Sequence, residues 1–310
     1  MSERKYTVPS LEEMLDTGLH FGHQKRRWHP RISPYLFGLK NKMHLFDLEK
    51  VREKLAEASL FLETVAGSGK KIIFVGTKRQ AQEIVKREAE RCGALFVIRR
   101  WLGGTLTNFN TLRLNLDRLT ELEEGFKNNK FGKYTKKERL IMRREMAKLQ
   151  DIVGGLKGMN EMPGAIFVID LRREKTAVRE ATKMRVPVIA LVDSNTDPTL
   201  VKYPIPGNDD ATKAVELVVK TLADAVLAGR KEFADGGETS KTPIAKPVSK
   251  RKEDEKIDEL KLSKHLEKAL LEAGIKTVSQ LKRLSKTDLK EIKGVEEKYL
   301  EEALLKIKSL

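Results

Sequence analysis

Cysteine is almost absent from this chain, with Cys92 as the sole example among 310 residues. A single thiol excludes an internal disulfide framework and any zinc site made of cysteine alone. The N-terminal residues are charged and lack the apolar core of a signal peptide. No run approaches the roughly eighteen apolar residues that span a bilayer. We therefore expect a cytosolic protein in a reducing compartment, without a membrane partner.

Acidic side chains are too few to balance the basic ones. The sequence has 61 Lys and Arg against 45 Asp and Glu, which gives a formal net charge of +16. Such an excess favours a phosphate-rich or acidic partner. Residues 250–310 contain 16 basic and 13 acidic side chains, so most of the excess charge belongs to the part of the sequence before them.

Acidic residues are missing altogether from residues 20–46, HFGHQKRRWHPRISPYLFGLKNKMHLF, which we call the basic–aromatic segment. Its cations neutralise phosphates and its rings can stack on bases, so it suits a polyanion. The alternative is a basic surface loop whose rings pack on a neighbouring helix. Pro30 and Pro34 predict irregular backbone there. The candidate RNA contacts in this segment are Lys25, Arg26, Arg27, Trp28, His29, Arg31, Lys40 and Lys42.

Strands and helices alternate over some two hundred residues. Apolar runs at 72–75, 94–98, 164–170 and 186–193 read as strands covered on both faces, and amphipathic helices follow them. Thr77 is expected to cap the helix after the first run, and Gly229 to end the last helix. The pattern predicts an α/β fold with a doubly wound parallel sheet, occupying residues 1–231.

An insertion separates the second and third of these strands. Residues 106–126 and 136–156 read as two helices joined by a short polar link, which predicts an antiparallel coiled-coil hairpin at about 106–156. Lys133, Lys136 and Lys137 lie at its tip. They are either a second phosphate contact or a solvated charged end.

The composition changes after the last of these helices. Residues 232–256 are rich in Gly, Ser, Thr, Pro and charge, which predicts a flexible linker. Capping patterns at Ser263, Thr277 and Ser285 then predict a small all-α domain at 257–310.

Motifs for catalysis are weak. The sequence GSGKK at 67–71 precedes a strand and lacks the upstream glycine of a phosphate-binding loop. Gly76-Thr77-Lys78 follows a strand and could bind an anion, with Arg79 beside it. Turn and cap chemistry explains the aspartates at the strand ends better than catalysis does. These are Asp170, Asp193, Asp197, Asp209 and Asp210.

A zinc site is a further alternative, formed by His20, His23 and His29 with Asp47 or Cys92. Histidines beside arginines on a loop more often contact nucleic acid or cap a turn, so we predict no metal. The competing function class is a small-molecule or nucleotide-binding enzyme that uses the switch point of the sheet, with Asp193 as acid or base.

Several blocks of the sequence carry a resemblance to a known family. They include LDTGLHFGHQKRRWHPRISPYLFGLKNKMHLFDLEK, FVGTKRQAQ, RRWLGGTLTNFNT, MPGAIFVIDLRREKTAVREATKMRVPVIALVDSNTDP and YPIPGNDDA. In this order they resemble the ribosomal protein S2 family of bacteria and organelles. The resemblance implies a flavodoxin-like sheet with a protruding coiled-coil hairpin, no catalytic activity and no cofactor. It also implies a place on the small ribosomal subunit, contact with 16S-type ribosomal RNA and neighbouring proteins, and in many bacteria docking of ribosomal protein S1. Basic and aromatic residues in the matching blocks then become candidate RNA contacts, among them Lys78, Arg79, Arg99, Arg100 and Trp101.

The C-terminal segment is similar to a different family. LSKHLEKALLEAGIKTVSQLKRLSKTDLKEIKGVEEKYLEEALLKIK resembles the helix-hairpin-helix module of the RNA polymerase alpha subunit. In such a module a glycine-rich hairpin approaches a phosphate. Gly294-Val295-Glu296 places an acid where a second glycine would help, so the module either binds nucleic acid or docks a protein.

For the protein as a whole, we expect a non-enzymatic RNA-binding constituent of the small ribosomal subunit.

Overall fold

The computed structural model describes residues 6–234. The predicted linker beyond residue 234 and the predicted helical domain at 257–310, with Gly294-Val295-Glu296, lie outside the described residues. Among the described residues, no helix combines the length and the apolar character needed to cross a bilayer.

Five parallel strands form the central sheet, in the order β5-β4-β6-β7-β8. When the strands are counted from β4, this is the order 2-1-3-4-5 of flavodoxin-like folds, so the predicted fold class is confirmed. Every residue of β4, β6 and β7 is buried, as expected for strands covered on both faces. The strands are β4 (Ile72–Val75), β5 (Leu95–Val97), β6 (Ala165–Ile169), β7 (Val188–Val192) and β8 (Tyr203–Pro206).

The edge strand β8 was not predicted from the sequence. Its burial pattern is mixed and it contains Pro204 and Pro206. Proline cannot donate to a ladder, so it is tolerated in a sheet mainly at an edge. Here β8 pairs only with β7 among the described strands, which is the position that prolines permit.

The helices around the sheet are α2 (Leu48–Gly67), α3 (Gln82–Cys92), α6 (Lys175–Lys183) and α7 (Thr212–Ala234). The expectation that Gly229 ends the last helix is wrong, because α7 continues to Ala234. A Cβ at Gly229 would lie 2.1 Å from the carbonyl oxygen of Glu63 in α2. Glycine at this position therefore allows α7 and α2 to pack closely.

The role expected for Thr77 is also wrong. Helix α3 begins at Gln82 without a side-chain cap. The Thr77 hydroxyl instead donates to the Glu174 carboxylate and accepts from Arg173 Nε at 2.7 Å. Thr77 thus joins the end of β4 to the start of α6.

The predicted hairpin is present between β5 and β6 and consists of α4 (Phe109–Lys127) and α5 (Lys136–Val153). Its tip is ordered by rings, since Phe131 meets both Phe126 and Tyr134 edge-on, with centroids 5.1 and 5.7 Å apart. Thr135 and Glu138 form a capping box at the start of α5. These contacts therefore hold the charged tip in a defined conformation.

A second, three-stranded antiparallel sheet follows the first helix, α1 (Leu11–Asp16). It has the order β1-β3-β2. The expected irregular backbone is correct for 25–35, which contains two 3-10 turns, but wrong for the flanking residues. Residues 21–24 and 36–40 form β1 (Phe21–Gln24) and β2 (Leu36–Lys40). Both pair with β3 (Met43–Phe46), and a short strand at 43–46 is what the sequence predicts.

Candidate nucleic-acid interface

The small sheet is fixed to the carboxyl edge of the large one. Ser194, just after β7, accepts from His23 N through its hydroxyl and from His29 N through its carbonyl oxygen, both at 2.7 Å. A Cβ at Gly22 would lie 2.8 Å from the Ser194 hydroxyl oxygen, so only glycine allows this approach. The basic–aromatic segment is therefore held on the α/β domain along its length.

Five exposed cations of this segment form what we call the basic cluster. The amide of Lys25 donates to the Lys42 carbonyl oxygen at 2.9 Å, which brings the turn at 25–27 beside the β2–β3 hairpin. No carboxylate among residues 6–234 forms an ion pair with any of the five cations. The basic cluster consists of Lys25, Arg26, Arg27, Lys40 and Lys42.

The hairpin that carries two of these lysines has a strained turn. Asn41 and Lys42 have φ of 51° and 64°, which is the left-handed region that a two-residue hairpin turn requires. Glycine would adopt it at no steric cost, whereas a lysine there costs on the order of 1 kcal/mol. A cation held in an unfavourable conformation at a hairpin tip is consistent with a binding role.

Trp28 lies next to the basic cluster and stacks on His44, with ring centroids 5.0 Å apart and an angle of 28° between the planes. Trp28 is 36% exposed and His44 only 4%. Both ring nitrogens of His44 are buried without a hydrogen-bond partner in the described part of the protein. Burial and the charge of Lys25 lower the pKa of His44, which favours the neutral form of the ring.

His29 and Arg31 have structural contacts instead. His29 Nδ1 accepts from the amide of Arg31 at 3.3 Å and caps the second 3-10 turn. The Arg31 guanidinium donates to Asp197 at 2.7 Å and to Thr199 at 3.2 Å. Arg31 thus ties the basic–aromatic segment to the loop after β7.

The switch point of the large sheet is acidic. Lys78 Nζ lies 2.7 Å from Asp209, 2.5 Å from Asp210 and 4.0 Å from Asp170. Burial and the neighbouring charge of Asp193 raise the pKa of Asp209 to about 7. Carboxylates already hold this lysine, so the geometry does not favour the anion expected at Gly76-Thr77-Lys78.

His23 is oriented by two carboxylates at the same edge. Its Nδ1 lies 2.9 Å from Asp193 and its Nε2 lies 3.7 Å from Asp210. The hydrogen bond to Asp193, opposed by burial, raises the pKa of His23. Ligand atoms of these three residues lie within 4.8 Å of one another, so they could hold a divalent ion. The zinc site considered from the sequence consists of His20, His23 and His29 with Asp47 or Cys92. The structure does not bring these ligands together.

The turn after β5 has two exposed cations, of which one is paired, and one buried ring. Arg99 pairs with Asp151 at 2.8 Å, while Arg100 is exposed and has no ion-pair partner among the described residues. Trp101 is only 5% exposed, and its Nε1 donates to Glu180 at 3.3 Å. A buried ring cannot stack on RNA, so Trp101 is a structural residue in this conformation.

Glu180 on α6 organises this turn and was not singled out from the sequence. Its carboxylate also accepts from the amides of Gly104, Leu106 and Thr107 at 2.7, 2.9 and 3.2 Å. Burial alone would raise the pKa of Glu180, but these backbone donors outweigh it and leave the pKa below its usual value. The signal in the sequence that could have identified Glu180 is its position directly before Ala181, on the apolar side of α6.

The remaining candidates are exposed. Lys133, Lys136 and Lys137 lie at the hairpin tip and have no ion-pair partner among the described residues, and Arg79 is exposed beside the acidic switch point. The structure also exposes two apolar side chains that the sequence did not single out. Phe37 is 79% and Leu39 49% exposed on β2, an edge strand of the small sheet.

Two family models match the sequence. The model described as ribosomal protein S2 matches residues 14–229, which is more than half of the protein. The second model describes the C-terminal domain of the bacterial RNA polymerase alpha subunit. It matches residues 245–309, and this match begins inside the segment predicted to be a linker.

Proposed function

The chain belongs to the ribosomal protein S2 family, a structural and non-enzymatic family of the small ribosomal subunit, and from this we propose that its basic cluster binds the backbone of 16S-type ribosomal RNA. In this proposal the protein acts in the cytoplasm or an organelle as a constituent of the small subunit. It catalyses no reaction and needs no cofactor.

The observation that carries the proposal is that, within residues 6–234, no carboxylate forms an ion pair with a cation of the basic cluster. Elsewhere in the described residues several cations are already neutralised: Arg31 by Asp197, Lys78 by three aspartates and Arg99 by Asp151. Exposed like charges held together repel one another, and phosphates relieve that repulsion while releasing counterions. Five cations thus have no ion-pair partner in the described part of the protein, at the place where two turns of the small sheet meet.

Salt dependence tests the proposal directly. We expect the triple variant Arg26→Ala, Arg27→Ala and Lys42→Ala to bind 16S-type RNA more weakly. The slope of log affinity against log salt should flatten by about 0.7–0.9 per lost phosphate contact. The measurement is a binding titration at several salt concentrations, together with sedimentation on small subunits that lack the native protein.

The matched control removes three positive charges elsewhere, with Lys86→Ala, Lys213→Ala and Lys220→Ala on α3 and α7. It should leave the slope unchanged. If the two triple variants lose the same affinity and slope, only the net charge matters and the basic cluster is not a binding site.

The competing enzyme class has little support in this geometry. Asp193 is 1% exposed, and its carboxylate already accepts from the amide of Ser194 and contacts His23. Lys78 fills the space between the other aspartates of the switch point. The aspartates of the switch point are therefore paired with Lys78 and His23. This ion-pair network joins the two sheets.

The exposed apolar side chains on β2 favour a protein neighbour. Phe37 stands at an irregularity in the β2–β3 pairing, and the outer edge of β2 is unpaired among the described strands. An aromatic ring at an open strand edge is a surface that another protein can cover. We assign it to a neighbouring small-subunit protein, with ribosomal protein S1 as the candidate.

We expect Phe37→Ala to reduce co-sedimentation of ribosomal protein S1 with reconstituted subunits, while RNA affinity and its salt slope stay as in the parent. Leu114→Ala is the control, since Leu114 is 68% exposed on α4. Loss of RNA affinity in Phe37→Ala with ribosomal protein S1 retained would assign Phe37 to RNA instead.

A further inference from the structure

We propose that Trp28 is a stacking platform for an unpaired nucleobase, so that the basic cluster binds RNA with single-stranded or bulged nucleotides. The inference rests on the proposed RNA-binding function and adds the class of RNA.

The position of the Trp28 ring is the first argument. The 3-10 turn Lys25–Arg27 leads directly into Trp28, and the indole stacks on His44 with centroids 5.0 Å apart. With 36% of the residue exposed, the ring is supported by the protein and remains accessible to solvent. An accessible aromatic surface at a basic site is what base stacking requires.

The support behind the ring is a neutral aromatic side chain. His44 is buried, and both of its ring nitrogens lack a hydrogen-bond partner within residues 6–234. No polar contact of this imidazole therefore explains why it lies under Trp28. Its evident role is to hold the indole plane in place.

The charges around the ring fit a nucleotide. Lys25 is near enough to His44 for its charge to influence that ring, and the Lys25–Lys42 backbone hydrogen bond places the hairpin lysines beside the same turn. A base stacked on Trp28 would have its flanking phosphates near these cations. Sequence-tolerant RNA sites combine cations and rings in this way.

The second tryptophan shows the contrast. Trp101 is 5% exposed and its Nε1 is bonded to Glu180, so it has no surface to offer. The two tryptophans of the protein thus have different roles, although both follow two basic residues in the sequence.

An unpaired base follows from stacking geometry. Bases inside a continuous duplex are covered on both faces by their neighbours, so a protein ring reaches a base only at a loop, a bulge or an end. Phosphate contacts alone would not distinguish a duplex from a single strand in this way.

Tryptophan fluorescence tests the proposal in the full-length protein. Trp101→Phe leaves Trp28 as the only tryptophan, and Trp28→Phe leaves only Trp101. Each variant is titrated with a single-stranded RNA and with a closed, loop-capped duplex of the same composition. We expect the single strand to quench Trp28 emission and to leave Trp101 emission unchanged. If the Trp101→Phe variant does not fold, the difference between the parent and Trp28→Phe gives the Trp28 signal.

Affinity gives the second readout. Trp28→Ala should weaken single-strand binding by at least about fivefold without changing the salt slope, and duplex binding should change less. His44→Ala should weaken binding because the indole loses its support, whereas His44→Phe should retain it. Unchanged emission on RNA binding, equal quenching by the duplex, or full affinity in Trp28→Ala would overturn the platform. Failure of the parent to bind either RNA in a salt-dependent manner would instead overturn the proposed function.

Discussion

At the residue scale, whether a cation is available to RNA depends on carboxylates that are distant in the sequence. Lys78 and Lys25 both precede arginines, and the local sequence does not separate them. Asp209 lies 131 residues from Lys78 and still pairs with it. The sequence could therefore predict that the basic–aromatic segment is cationic, but it could not predict that Lys78, Arg31 and Arg99 are neutralised.

Glu180 shows what a single buried carboxylate does. Glu180→Ala removes the acceptor of the amides of Gly104, Leu106 and Thr107 and of Trp101 Nε1. Two of these donors, Leu106 N and Trp101 Nε1, belong to buried residues. Because a buried donor without an acceptor costs about 1–3 kcal/mol, we expect a loss of about 3 kcal/mol in the free energy of unfolding. Urea unfolding of the full-length protein measures it.

Glu216→Ala is the control for this substitution, because Glu216 pairs with Arg87 at the surface. Exposed pairs contribute about 0–1 kcal/mol. If the two variants differ by less than about 0.5 kcal/mol, Glu180 does not hold the turn after β5.

At the scale of elements, the strands of the large sheet that could be predicted are those built from continuous apolar runs. Strands β4, β6 and β7 are continuous apolar runs because helices cover them on both sides. Strands β1, β2 and β8 have mixed exposure, and β8 contains two prolines. These segments are strands because they pair with other strands. Pairing with a strand that is distant in the sequence produces no local periodicity of apolar residues.

Helix ends show the same limit. The capping box of Ser10 and Glu13, the cap of Asp47 on α2 and the left-handed Gly93 after α3 are formed by residues at the helix ends themselves, so the local sequence is enough to predict them. The prediction that Gly229 ends a helix is wrong, because glycine is required there for another reason. The carbonyl oxygen of Glu63 in α2 lies too close for a side chain. A glycine that permits close helix packing and one that ends a helix look alike in the sequence.

At the scale of the whole molecule, the net charge of +16 conceals opposite local charges. The switch point gathers Asp170, Asp209 and Asp210 around Lys78, with Asp193 paired to His23, while the basic cluster has no carboxylate partner in the described part of the protein. The family could be predicted because matching blocks extend over most of the α/β domain. Which face meets RNA could be predicted only in part, since it depends on how the two sheets are joined.

The hairpin tip would give the α/β domain a second RNA contact, at a distance from the basic cluster in the sequence. The aromatic contacts of Phe131 and the capping box at Thr135 hold the tip in one shape, so its backbone loses little further freedom on binding. We expect Lys133→Ala, Lys136→Ala and Lys137→Ala together to weaken association with small subunits and to flatten its salt slope by about 0.7–0.9 per lost contact.

Combined with the Arg26, Arg27 and Lys42 variant, the losses in binding free energy should add, because separate contacts with one RNA act independently. Sedimentation at several salt concentrations measures both, with Lys86→Ala, Lys213→Ala and Lys220→Ala as the charge-matched control. A tip variant that associates like the parent would show that these lysines form a solvated charged end.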